Sequence, residues 1–249
     1  MIKTTGRKNR EWKTAAGWLL ALLMPFVAGS SSLASPLEAS IDDSEPLQLL
    51  IMLTLLGLIP TFLIMMTGFT RILIVLGFVR NATGLQQMPP NQVLIGLALL
   101  LNFFFMAPVI DRIQEHAYEP YMNEEITQSE AIDEAMVPLR EFMLGQTYSK
   151  DIEMFMGMAQ ISSVPTVDDI PTRVIVPAFI TSELKRAFQI GFFIFVPFLV
   201  IDMIVASTLM SMGMMMLPPT VISLPFKVLL FVLVDGWGLV IQTLFASFQ

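Results

Sequence analysis

Residues 187–217 read AFQIGFFIFVPFLVIDMIVASTLMSMGMMML, a long run interrupted by a single charge, Asp202. About 20 apolar residues of helix cross a hydrocarbon core of roughly 30 Å, so this run alone is long enough to span a membrane, with Pro197 as an expected kink. It sets the class of the whole chain, an all-α integral membrane protein. Of 249 residues 55% are hydrophobic and only 14% charged, where an ordinary soluble domain carries about 25% charged residues. Mean hydropathy is +0.70.

Beyond Pro218 and Pro219, a second run from Thr220 to Phe248 carries only Lys227 and Asp235. On the other side, residues 111–186 hold 14 acidic and 6 basic residues with scattered apolar ones, the pattern of an aqueous, mainly helical domain. Within it AIDEAMVPLREFMLGQT places Ile132, Met136, Leu139 and Met143 on one apolar helix face. The prolines of SSVPTVDDIPTRVIVPAF mark an irregular connection. Upstream, Val93–Ile110 and Leu47–Thr70 are two further candidate spans, the second with a kink expected at Pro60. Between them Arg71 and Arg80 bracket eight uncharged residues, too few to cross a bilayer and suited to an interfacial or partner-packed helix.

The first residues have a basic head (Lys3, Arg7, Lys8, Arg10, Lys13), an apolar run from Ala15 to Val27 and the small-residue segment AGSSSLAS. That is the layout of a secretory signal peptide cut ahead of Ser35. The expected organisation is thus a signal peptide (1–34), a short polar N-terminus (35–46), a first apolar hairpin (47–110), an acidic extramembrane domain (111–186) and a second apolar hairpin (187–249). Arg71 and Arg80 place the first hairpin loop on the cytoplasmic side, the acidic domain outside and the methionine loop inside. The two loops echo one another: Gly84–Pro90 reads GLQQMPP and Gly213–Pro219 reads GMMMLPP, each with a glycine to end one helix and a proline pair to start the next.

Several functions are excluded. There is no cysteine and one histidine, so neither a thiolate nor a multi-histidine metal centre is available. No nucleotide-binding, hydrolase or metalloprotease motif is present, and no cofactor or enzyme activity is expected. A net charge of −7 argues against nucleic acid.

What remains is intramembrane charge and methionine. Asp202, Lys227 and Asp235 would each be costly facing lipid and must face protein or water. Asp202 with Asp235 could form a carboxylate dyad of the intramembrane-protease kind, or Lys227 could answer Asp235 across a subunit seam. Glu183, Lys185 and Arg186 form a second charged cluster. Met210, Met212, Met214, Met215 and Met216 allow three readings: apolar core filler, a soft copper(I) site in a stand-alone permease, or the adaptable lining of a narrow opening.

The strings MMTGFTRILIVLGFVRNATG, PPNQVLIGLALLLNFFFMAPVID, PLREFMLGQT, PAFITSELKRAFQIGFFIFVPFLVIDMIVASTLMSMGMMMLPP and LPFKVLLFVLVDGW closely resemble the FliP family of flagellar export-gate proteins, from about Thr61 to Trp237. The resemblance implies a core subunit of the flagellar type III secretion apparatus in the bacterial cytoplasmic membrane, at the flagellar basal body. It implies a homo-oligomer built into a helical, roughly conical ring with FliQ and FliR, next to FlhA and FlhB, surrounded by membrane lipid and passing unfolded flagellar subunits. It implies hairpins that depart from simple bilayer spanning. Met214, Met215 and Met216, with Met210 and Met212, would form a gasket across the channel, and Glu183 and Lys227 would pair between neighbouring subunits.

Overall fold

The computed structural model describes residues 49–50, 52–54, 57–58, 61, 64–85, 87–161, 164–214 and 216–248. The expected signal peptide, the polar segment after it, Pro60 and Met215 lie outside the described residues. Residues 58–249 form one unit, and all described regular structure in it is helical.

The helices are α1 (Phe69–Ala82), α2 (Asn91–Ile113), α3 (Glu119–Met122), α4 (Gln128–Gln146), α5 (Ser149–Met158), α6 (Thr172–Ser211), α7 (Pro219–Leu233) and α8 (Gly236–Ala246). A π-helical turn, Gln114–Tyr118, joins α2 to α3, so that Asn91–Met122 runs as one long helix. The apolar span of α2 therefore passes directly into the acidic region.

The spine is α6, 40 residues long and so about 60 Å from end to end. Against it pack α1, α4, α5 and α7. It begins at Thr172, and its axis runs through the expected boundary at residue 186; the irregular connection ends at Pro171, and Pro177 is already helical. Inside a helix proline forfeits a hydrogen bond and costs about 3 kcal/mol. Here the burial of Val174, Ile175, Ala178 and Phe179 along the same turn offsets that cost, each large side chain contributing roughly 1.5–3 kcal/mol.

Two cores lie along the spine. One gathers Ile72, Val75, Leu76, Val79, Leu94, Ala98, Ala187, Val240 and Leu244; the other, at the polar end, gathers Met66, Met143, Ile170, Val174, Ile175 and Phe179. The short segment between Arg71 and Arg80 is thus a partner-packed helix rather than an interfacial one, its inner face sealed by α6. Gly191 permits this approach, since a Cβ there would stand 2.3 Å from the Phe78 ring. Of the expected apolar face of α4, Met143 is buried and Ile132 is exposed.

Both glycine–proline loops close as the sequence suggests. Gly84 and Gly213 have φ of +77° and +76°, a left-handed conformation that glycine adopts without a Cβ penalty. At the second, Gly213 N–H donates to Met210 O and Met214 N–H to Leu209 O, both at 3.0 Å, the paired bonds of a Schellman helix end. The terminal run is not one straight helix: α7 and α8 meet at 64°, with Asp235 left-handed at φ 50°.

Candidate functional site

The α6–α7 hairpin carries the methionine loop at its tip. Of the four described methionines, Met210, Met212 and Met216 are exposed at 61%, 66% and 98%, and Met214 is exposed as well. None of these four contributes to either core, which counts against the core-filler reading within the chain. Among the described residues these apolar side chains are left largely exposed.

Below the loop the two legs are tied by charge. Lys227 Nζ donates to Asp202 Oδ2 at 2.6 Å, and Ser223 Oγ donates to Asp202 Oδ1 at 2.6 Å. Ser223 and Lys227 lie four residues apart, hence on one face of α7, and both are buried. Asp202 spends both oxygens on this bridge, while the Asp235 side chain accepts from Gly238 N–H and caps α8. The dyad is therefore not formed, and the in-chain partner of Lys227 is Asp202 rather than Asp235.

The second charged cluster is also answered within the chain. Arg71 and Glu183 are both completely buried and joined through Nε–Oε2 at 2.9 Å and a second contact between Nη2 and Oε1. Lys185 bonds Asp151, which also accepts from Ser182 Oγ at 2.7 Å. Arg186 donates to Gln146 Oε1 at 2.6 Å and lies 4.8 Å over the Tyr148 ring. Arg80 donates to Asn91 Oδ1 at 2.6 Å. The two arginines that oriented the first hairpin are thus engaged in the fold, and Arg71 does not count as a loop cation.

At the polar end, burial pushes the Asp151 carboxyl up, but hydrogen bonds from Lys185 and Ser182 outweigh this and hold it below the usual range. Asp151 was not among the residues singled out from sequence, and neither was Arg71 as a counter-ion, because its partner Glu183 is 112 positions away. One signal was present: Arg71, a cation in apolar surroundings, needs an opposite charge. Among the described residues no group of three or more His, Asp or Glu stands where it could hold a metal.

The geometry is that of a two-legged apolar hairpin, its legs pinned by the Lys227–Asp202 ion pair, with an exposed methionine tip. Comparison with known proteins agrees with the quoted motifs. The FliP family model matches residues 52–244. Flagellar biosynthetic protein FliP of Bacillus subtilis is 56% identical over 205 residues, covering 82% of this chain and 93% of the relative. That of Buchnera aphidicola subsp. Acyrthosiphon pisum is 55% identical over 250 residues, 99% of this chain and 66% of that longer relative. The Aquifex aeolicus protein is 47% identical over 219 residues, 86% of this chain and 92% of the relative. A family match over more than half of the chain, with such identities, establishes that this chain belongs to the FliP family.

Proposed function

We propose that the chain is a non-enzymatic, channel-forming subunit of the flagellar protein export gate in the bacterial inner membrane, assembled as several copies with FliQ and FliR beside FlhA and FlhB. The observation that carries this reading is the exposed methionine tip on a hairpin whose legs are themselves apolar and exposed. Fully burying one such side chain is worth roughly 1.5–3 kcal/mol, so the tip favours meeting its equivalents from other copies. Methionine is unbranched and has three rotatable bonds, which suits a ring that must close on itself and then fit a passing polypeptide.

Membership of a family whose curated members are named as flagellar biosynthetic proteins supports the flagellar assignment, and exported flagellar subunits are the cargo. A copper(I) permease is not favoured. The test is an ion-leak measurement on cells carrying Met214→Ala, Met215→Ala and Met216→Ala together. The expected result is an intact complex of unchanged size that leaks small ions while idle; an ion-tight gate with normal secretion would sink the gasket.

A further inference from the structure

All five N–H groups of the buried Arg71 guanidinium are used, and only two of them on Glu183. Nη2 also donates to Gln146 Oε1 at 2.9 Å, while Nη1 donates to the Ser247 carbonyl oxygen at 2.5 Å and to Ser247 Oγ at 3.0 Å. Gln146 completes the grip, its Nε2 donating to the Phe248 carbonyl oxygen at 3.0 Å. The Phe248 ring lies 4.0 Å beneath the guanidinium carbon and meets Phe105 and Phe142 at centroid distances of 5.2 and 6.5 Å. Room for that ring is left by Gly68, where a Cβ would stand 2.5 Å from it.

Residues 247–248 are therefore held through their main-chain carbonyls and one aromatic ring by Arg71 at the start of α1 and Gln146 at the end of α4, while Glu183 in the first third of α6 holds Arg71 in place. The segment they terminate is hinged. Asp235 is left-handed, and α7 and α8 are bent by 64° there. Straightened, Pro219–Ala246 would extend about 42 Å at 1.5 Å per residue, ample for a bilayer core of roughly 30 Å. An apolar run long enough to cross is bent by 64° near its middle, and its far end is gripped.

We propose that Arg71, Glu183 and Gln146 form a receptor for the chain's own residues 247–248, making α8 a docked arm whose capture keeps the α7–α8 run bent at Asp235. Glu183 supplies the counter-charge that lets the guanidinium be buried, Arg71 supplies the fork that reads a carbonyl, and Gln146 extends the reading by one residue. Lysine could not replace Arg71, because a single ammonium cannot serve Glu183, Gln146 and Ser247 in a planar fork.

The absence of cysteine makes the test direct. Ser247→Cys is introduced into the full chain, the membrane complex is purified, and the rate of maleimide labelling is measured, with a Cys at exposed Gln242 as control. Gly68→Ala, which alters no charge and displaces only the Phe248 ring, and Arg71→Gln are each expected to raise labelling at 247 at least tenfold and to leave 242 unchanged. Should Arg71→Gln fail to assemble, Gly68→Ala alone decides. Unchanged labelling at 247 in an assembled Gly68→Ala complex, or equal acceleration at 242, would overturn the proposal.

Discussion

At the scale of single residues the chain is organised by charges placed where charge is expensive. Lys227 is tolerated in α7 because Asp202 and Ser223 complete its surroundings. Lys227→Met removes the cation but strands Asp202, and it should destabilise the complex by about 2 kcal/mol, the scale of a hydrogen bond to a charged group. Adding Asp202→Leu should recover much of that loss, since an apolar pair can replace an ionic one; thermal unfolding of the four species of the cycle measures the coupling. Asp151 gives a pH dependence whose sign is fixed. Its carboxyl is depressed in the fold, so it contributes stability above the unfolded value of about 3.9, and that contribution is lost as pH falls below it through the folded value. Asp151→Asn should therefore lower stability at pH 7 and flatten its decline as pH falls below about 4; equal slopes for the variant and the parent would refute this role.

At the scale of elements, helix ends decide where the hairpins turn. Gly213 sits at φ +76° with both Schellman bonds made, and an L-residue in the left-handed region costs roughly 1–2 kcal/mol. Gly213→Ala and Gly84→Ala should each lower the melting temperature by a few degrees, on the order of 2–4 °C per kcal/mol in a protein of this size. Gly96→Ala, inside α2 with nothing within 4 Å of the added Cβ, should shift the melting temperature in the opposite direction, since Ala is favoured over Gly in a helix interior by about 1 kcal/mol. The start of α4 is set by a capping box in which Thr127 Oγ1 accepts from Glu130 N–H and the Glu130 carboxylate accepts from Thr127 N–H. Thr127→Ala should cost about 1 kcal/mol, read from the stability of the polar end by amide hydrogen exchange.

At the scale of the whole molecule, the long helices present far more apolar surface than the chain can cover, with Phe188, Phe192, Phe193, Met203 and Ile204 all exposed along α6. Lipid is a natural cover for such surface, and further copies of the chain would supply the rest in the assembly proposed above. If Glu183 and Lys227 pair between copies, as the family resemblance implies, each must exchange or share its in-chain partner to do so. Charge reversal separates the two roles. Rescue of assembly by Glu183→Lys together with Lys227→Glu supports the seam, and the absence of rescue leaves Glu183 to its in-chain pair with Arg71. Particle size of the purified complex is the readout.

Much of this was legible in the residues themselves. Long uncharged runs dictate apolar helices, because only a helix satisfies its own backbone without water, and the glycine–proline signatures located both hairpin loops because φ near +76° is open to glycine at no cost. The methionine tip was visible as composition, though its exposure was not. Burial is a property of what packs nearby, and no periodicity within LMSMGMMMLPP states it. The 64° bend was marked in the run only by the Asp235-Gly236 pair, a turn signal, because apolar composition reads the same whether a helix is straight or bent. Helix class, loop positions and the need of every intramembrane charge for a partner were determined by the sequence alone, since they follow from local backbone chemistry and from the cost of burying charge. Which partner each charge takes, Glu183 with Arg71 and Lys227 with Asp202, was decided only by tertiary structure, because contacts across 112 and 25 positions depend on how the helices pack.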